Sequence, residues 1–299
     1  MPHSMDFIHI VQGDDGVATG AWGSHTLKSA FQPIFAFRGE KLSIVAFEGL
    51  IRPFLDGEAR SPAAFFAGVP ALERLQVENL TRTLHFLNAA ACLPSAAYIF
   101  VNFDPSIFTD RAIAESALHD MRQVLAHTHI DPRRVVCEVT EQKSGSQDAL
   151  FAFTTALKAG GFRVAIDDYG AQSSDMDRIR RLHPDIVKFD ARWITRLMES
   201  GPGYALLATM VSTFADQGIE TVFEGIEESW QLDLAARSGA SMVQGYVLAH
   251  PEIAPAGFWA FSQPVGLAGP DEQQPRPGGD HAPIHARRTG KPFGRRSHS

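Results

Sequence analysis

The sequence predicts an α/β fold: a modified TIM (β/α)8 barrel in which one strand runs antiparallel to the rest. Three observations lead there. Short β-forming apolar runs alternate with helical patterns along most of the 299 residues, the order that a parallel sheet covered by helices requires. Polar or charged groups stand at the ends of seven of these runs: Glu48, Asn102, Glu138, Asp167-Asp168, Lys188, Glu224 and Gln244. In a parallel barrel all strand C-termini share one face, so these groups converge there. The chain also opens on a hairpin, and the two strands of a hairpin are antiparallel.

Residues 1–25 are weakly patterned and read as an arm that adds a strand or stays mobile. The hairpin is Phe31–Phe37 and Leu42–Leu50, joined by Arg38-Gly39-Glu40-Lys41. Ser61-Pro62 is a helix start, a capping side chain followed by proline in the first turn, and the leucine stripe continues with breaks to Leu93, where Pro94 closes it. Ala97–Val101 is a buried strand, and a helix runs from Pro105 to about His127. The strand from Arg134 reaches Glu138, and the helix Ser144–Ala159 stops at Gly160-Gly161. Phe162–Ile166, a helix over Ser173–Leu182 and Ile186-Val187 make a βαβ unit. A helix Trp193–Gln217, the strand Ile219–Phe223, a helix Ser229–Ser238, the short strand Gly239–Val243 and a terminal helix Pro251–Phe261 complete the domain, residues 26–262. From 263 to 299 Pro, Gly, Gln, His and Arg dominate, which predicts a disordered tail.

An apolar content of 44% supports a sizeable core. The net charge of −7 leaves no footprint for general nucleic-acid binding. Cys92 and Cys137 form no metal-spacing motif, and a reduced cytoplasmic protein is their simplest account. No run of about 18 apolar residues spans a membrane, and Met1 to Gly23 shows no secretory signal pattern.

The strand ends carry the chemistry. Asp167-Asp168 ends a buried strand, where two close carboxylates repel and lose hydration. A divalent cation offsets both; alternatively Asp168 caps the following turn and Asp167 is solvated. Glu48 interrupts an apolar run, so it requires a metal or an arginine, or else faces solvent on an edge strand. Asn102 caps the next helix or donates a neutral oxygen. Several acids and one amide form an all-oxygen set suited to Mg²⁺ or Mn²⁺, with no His or Cys ligand. Two ions sharing an aspartate suit in-line phosphodiester hydrolysis, with Lys188 steadying the attacking hydroxide and Arg52 holding a phosphate oxygen. A two-carboxylate glycosidase would need fewer acids and no metal.

In order and at fitting spacing, Glu48-Gly49-Leu50, Val101-Asn102-Phe103-Asp104-Pro105, Glu138-Val139-Thr140-Glu141, Asp167-Asp168-Tyr169-Gly170, Asp185-Ile186-Val187-Lys188-Phe189-Asp190, Glu224-Gly225-Ile226-Glu227 and Gln244-Gly245-Tyr246 resemble the EAL-type cyclic di-GMP phosphodiesterase family over about residues 26–262. The resemblance implies hydrolysis of cyclic di-GMP to linear pGpG with Mg²⁺ or Mn²⁺, two ions, often in a homodimer. Carried over by motif, Glu48, Asn102, Glu138 and Asp167 match the ligands of one metal, and Asp167 and Asp168 those of the second. Glu224 matches an acid beside the metal-bound water, and Lys188 the family's lysine. Gln32, Leu50, Arg52, Asp190 and Gln244 match substrate-facing positions, and Glu141 the anchor of the loop after Asp168. The sequence departs from the family pattern in four places. Gly49 replaces alanine and loosens the strand; the loop reads Gly170-Ala171-Gln172-Ser173-Ser174-Asp175; residues 61–80 lack the usual acidic, Gly-containing stretch; Pro53 follows the arginine.

An active phosphodiesterase is therefore expected. The alternatives are a catalytically silent cyclic di-GMP receptor, a protein-interaction regulator and a different metal-dependent barrel hydrolase. Deleting residues 264–299 is expected to leave turnover largely intact in a hydrolysis assay; a large loss would show that the tail helps to bind substrate or to hold a dimer.

Overall fold

The computed structural model describes residues 8–39, 41–104, 106, 111–140, 147–171, 176–258 and 265–266. The chain begins with β1 (Ile8–Gln12), β2 (Ala18–Trp22), β3 (His25–Arg38), β4 (Lys41–Leu55) and β5 (Glu58–Ala59). Helices α1 (Pro62–Gly68) and α2 (Arg74–Cys92) follow. Strands and helices then alternate: β6 (Tyr98–Phe103), α3 (Arg111–Thr128), β7 (Val135–Thr140), α4 (Gln147–Ala159), β8 (Arg163–Tyr169), α5 (Met176–Leu182) and β9 (Ile186–Phe189). Next come α6 (Ala191–Met198), α7 (Gly201–Asp216), β10 (Glu220–Phe223), α8 (Ser229–Ser238), β11 (Met242–Val243), β12 (Glu252–Ile253) and β13 (Val265–Gly266).

The sheet closes on itself in the order β3-β4-β6-β7-β8-β9-β10-β11 and back to β3. β3 is antiparallel to both its neighbours, β4 and β11, and every other neighbouring pair in the ring is parallel. The predicted barrel with one antiparallel strand is the fold observed.

Each strand sends one residue into an apolar layer inside the ring: Ile34, Ala46, Phe100, Val136, Ala165, Ile186, Val222 and Met242, which form one cluster. The barrel centre is thus filled by side chains. The opposite faces of the strands meet the helices in a larger core, where Phe189 stacks on Trp193 and meets Phe214 edge-on. A third, smaller core (Ala18, Leu27, Ile51, Val77, Leu80, Leu84 and the α1 residues Phe65 and adjoining Val69) lies under the long hairpin.

Three segments differ from expectation. The hairpin strands are longer than the apolar runs, pairing from His25↔Leu55 to Arg38↔Lys41, because backbone ladders continue past the residues that pack. Residues 8–22 of the arm take the first of its two expected outcomes, adding two strands in an antiparallel meander onto β3. The expected helix over 193–217 is two helices: the Ser200 hydroxyl accepts the Gly203 N–H and Pro202 takes the first turn of α7, a second start inside the apolar pattern. In the described part of the expected helix over 251–261, residues 251–258, Glu252 and Ile253 instead pair with Phe31 and Ala30; Pro251 and Pro255 bracket this pair, and each lacks the N–H a helix needs. Val265 pairs with Leu42, so strand pairing extends beyond residue 263, where the composition changes. No helix among the described residues is long and apolar enough to cross a membrane.

Helix α2 has two buried stripes. Val77, Leu80 and Leu84 enter the small core, whereas Glu78, Arg82, His85 and Asn88 are buried polar groups, and such groups require partners. Arg82 pairs with Glu78 at 3.2 Å, donates to Asn79 Oδ1 at 2.5 Å and to the Asn102 carbonyl at 3.4 Å, and lies 4.3 Å over the Phe103 ring. Asn88 Oδ1 accepts the Ala18 N–H at 2.6 Å, while its amide donates to the Ala18 carbonyl at 2.9 Å and to Ser29 Oγ at 3.0 Å. His85 Nδ1 is hydrogen-bonded to Ser29 Oγ at 3.0 Å. The stripe fastens α2 to β2, β3 and β6.

Burial, aided by the charges of Arg82 and Arg52, pushes the His85 imidazole down from 6.5 to about 3. The unfolded chain therefore binds this proton first. The stability contribution is complete above about pH 6.5 and is lost as pH falls toward about 3. His85→Asn should flatten the pH dependence of unfolding free energy across that window in urea titrations; equal slopes in both proteins would show that the folded state protonates the ring.

Candidate active site

Side chains along a strand alternate between faces, so the next inward layer lies two residues beyond the apolar one. Two residues after Ala46, Phe100, Val136, Ala165, Ile186, Val222 and Met242 stand Glu48, Asn102, Glu138, Asp167, Lys188, Glu224 and Gln244. On β3, which runs the other way, the corresponding residue is two before Ile34: Gln32. Every barrel strand thus contributes one polar group to a single ring above the apolar layer. Tight backbone crossing supports the rim: a Cβ at Gly245 would lie 2.0 Å from the Ile226 carbonyl oxygen, and Ile226 N–H donates to the Gln244 carbonyl at 3.1 Å.

Asp168 enters the site by a different device. The β8–β9 register passes from Ile166↔Val187 to Tyr169↔Phe189, which leaves one extra residue on β8. Asp168 takes a left-handed backbone, φ 57°. Such a bulge breaks the alternation and re-aims a side chain. One carboxylate oxygen from each of Asp167, Asp168 and Glu224 consequently lies within 4.8 Å of the other two.

Lys188, only 1% exposed, is the cation at the centre of the ring. Its Nζ lies 2.5 Å from Glu138 Oε1, 2.6 Å from Glu224 Oε1, 3.4 Å from Asp167 Oδ1 and 3.7 Å from Glu48 Oε1. Burial opposes its charge, and the fields of Asp167, Glu138, Glu224 and Glu48 outweigh that, holding the ammonium well above its ordinary range. Burial raises Glu138 well above a normal carboxylate and lifts Glu224 to about 8, with Lys188 pulling each back in part. Asp168 is raised as well, by burial and then by Asp167. Gln244 Nε2 donates to Glu48 Oε2 at 2.8 Å.

Glu138 Oε2 and Gln244 Oε1 are buried without a hydrogen-bond partner among the described residues. Unpaired oxygens in an oxygen-only set fit a hard divalent cation. The best-grouped candidate ligands are Asp167, Asp168 and Glu224, with Glu48, Glu138 and Asn102 on the same ring.

Two cavities flank the ring. One of ≈ 540 Å³ lies between β4, β6 and α2, with Leu50, Arg52, Phe66, Arg82, Asn102 and Phe103 in its wall. The other, ≈ 270 Å³, has Gln32, Glu48, Glu224, Gln244 and Tyr246 in its wall. Leu50 and Arg52 continue the period-2 face of Glu48, which explains their place. Gln32 donates to the Ala249 carbonyl at 3.3 Å. Asp190, expected to face substrate, uses one carboxylate oxygen as a helix cap: its Oδ1 accepts the Trp193 N–H at 2.8 Å at the start of α6. Glu141 and residues 172–175 lie outside the described residues. Sequence reasoning overlooked the α2 stripe, whose signal is polar residues at helical spacing in 78–88. It also overlooked Tyr246 as a cavity wall; this ring is 53% exposed and stacked on His250 at 4.3 Å.

The EAL domain family model matches residues 20–251. The uncharacterized EAL-domain containing protein YkuI of Bacillus subtilis is 32% identical over 229 residues, 74% of this chain and 54% of YkuI. A protein of Escherichia coli named "Probable cyclic di-GMP phosphodiesterase PdeA" is 25% identical over 226 residues, 74% of this chain and 30% of its own length. The chain therefore spans between about a third and a half of these relatives. The crystal structure of YkuI with cyclic di-GMP and calcium superposes with a TM-score of 0.66 at 27% identity, covering 76% of this chain and 56% of that one. Klebsiella pneumoniae BlrP1 with manganese and cyclic di-GMP gives 0.66 at 26% identity, with the same coverage of 76% and 56%.

Mn²⁺ is expected to raise the thermal unfolding midpoint, since a ligand bound only by the folded state stabilises it by about 2.7 kcal/mol at about 100 times its Kd. Asp167→Asn and Asp168→Asn should each shrink the rise in a fluorimetric melt. A midpoint indifferent to millimolar Mn²⁺ would refute a cation site in this ring.

Proposed function

The chain belongs to the EAL domain family, and on that premise we propose that it is a divalent-metal-dependent phosphodiesterase that hydrolyses cyclic di-GMP to linear pGpG. The observation that carries the reading is the closed ring of inward polar groups, with three carboxylates brought together by the Asp168 bulge and four acids gathered round Lys188. Two solved relatives bind cyclic di-GMP beside calcium or manganese.

In this reading Asp167 and Asp168, with Glu48, Asn102, Glu138 and Glu224, hold one or two Mg²⁺ or Mn²⁺ ions. When bound, such ions supply Lewis-acid activation of water and of the phosphodiester, and neutralise charge on the leaving oxygen. The chain's own residues do the rest. Lys188 fixes Glu138 and Glu224 by short ion contacts, and Gln244 fixes Glu48. Arg52, in the wall of the larger cavity, binds a phosphate oxygen, and Leu50 and Phe66 supply apolar surface to a base. Water attacks phosphorus, the bond to the ribose 3′-oxygen breaks, and that oxygen takes a proton, leaving a 5′-phosphate on the linear product. A homodimer is part of the proposal. A receptor that binds cyclic di-GMP without turnover is the second reading; the altered loop sequence Gly170-Ala171-Gln172 favours it.

Purified protein is expected to form pGpG with Mn²⁺ or Mg²⁺ and none in EDTA, and Glu48→Ala to abolish the product while leaving the chain folded. Tight binding with no product would identify the receptor. Full activity of Glu48→Ala would overturn the ring as the site.

A further inference from the structure

Gly49 follows Glu48 on β4 and abuts α2. A Cβ on Gly49 would lie 2.9 Å from His85 Cγ, 3.0 Å from Cδ2 and 3.2 Å from Cβ, nearer than carbon atoms approach at optimal contact. The imidazole occupies the room that a side chain at position 49 would need. The neighbouring ring fills the gap that the missing side chain leaves. The ring is also held from its other sides. Its Nδ1 is bonded to Ser29 Oγ at 3.0 Å, the same hydroxyl accepts from Asn88, and Phe31 meets the ring edge-on with centroids 6.2 Å apart. Ser29 and Phe31 belong to β3, whose Phe31 pairs with Gly49 and whose Gln32 pairs with Glu48. His85 is thus wedged between α2 and the β3–β4 ladder at the level of the Glu48 carboxylate.

We propose that His85 is a positioning residue whose ring, seated against Gly49, sets the distance between β4 and α2 and hence the place of the Glu48 carboxylate in the acid ring. The inference rests on Glu48 acting as a cation ligand in the proposed function. Sterics and charge agree. A larger residue at 49 pushes β4 inward or α2 outward, and a smaller one at 85 leaves Glu48 free to drift. Burial and the nearby Arg82 and Arg52 keep the ring neutral, so it adds no positive charge beside a cation site. His85 also lines the ≈ 540 Å³ cavity with Leu50 and Arg52, so its placement is felt on the ligand side as well.

The test is a double-mutant cycle on the full chain: Gly49→Ala, His85→Ala and both together. Its readouts are kcat and KM for cyclic di-GMP with Mn²⁺, Mn²⁺ binding by calorimetry, and the unfolding midpoint. Misplacement by about 1 Å costs up to about 10²-fold in rate, so Gly49→Ala should lower kcat at least about tenfold with KM nearly unchanged. The double variant should recover to the level of His85→Ala. His85→Ala creates no clash and covers the case in which Gly49→Ala fails to fold; it should weaken Mn²⁺ binding. Wild-type kcat in Gly49→Ala, no recovery in the double variant, or unchanged Mn²⁺ affinity in His85→Ala would overturn the inference. Coupling confined to the unfolding midpoint would make the pair a packing contact and overturn it equally. If the wild type binds Mn²⁺ without turnover, the cycle is read by calorimetry alone. A wild type that neither binds Mn²⁺ nor hydrolyses refutes the functional reading itself, a result distinct from absence of coupling.

Discussion

One buried ammonium holds the centre of this barrel. Closure of eight strands forces one side chain from each into the same ring, and four of those that meet at Lys188 are acids. Carboxylates so close to one another, out of water, would take up protons rather than remain charged. Lys188 compensates them from inside, and the remaining imbalance is visible in the raised Glu138 and Glu224. Removal of the lysine would leave an unpaired buried cluster, which is costlier than any surface change. In the proposed function, the same surplus of negative charge is what attracts a divalent cation to the ring.

The rest of the architecture delivers these groups to one height. Alternation along each strand puts the polar ring two residues above the apolar layer, and the reversed strand β3 obeys the same rule in the opposite direction. One bulge supplies the exception, turning Asp168 toward Asp167 and Glu224. Outside the ring, α2 carries polar side chains on a buried face and so links three strands through hydrogen bonds rather than through packing alone. Arg82 contacts the Asn102 carbonyl and His85 fills the space beside Gly49, so two members of the ring are braced from the same helix.

This bracing bears on function because charge clusters tolerate little drift. A carboxylate displaced by a fraction of its own length changes from ligand to bystander, and the energy of a close ion pair varies steeply with distance in a low-dielectric interior. The polar stripe on α2 resists that drift. Its cost is a helix whose buried groups must all be satisfied at once.

The amino-acid sequence by itself determined the fold class and most of the ring. Glu48, Asn102, Glu138, Lys188, Glu224 and Gln244 were legible because strand runs show as apolar stretches and the first polar residue at the end of each marks the layer. Family resemblance added Gln32, whose strand runs backwards and offers no such end signal. Other features required the tertiary structure. That Asp190 caps a helix depends on which backbone N–H lies near it, and Trp193 N–H claims one oxygen. The meander of residues 8–22, the break at Ser200 and the pairing of Glu252 with Phe31 rest on partners distant in sequence or on competition between helix starts. The contact between Gly49 and His85 joins residues 36 apart, and only packing of α2 onto the barrel brings them together. Local pattern reports which face a side chain takes; what meets it on that face is decided by closure of the whole ring.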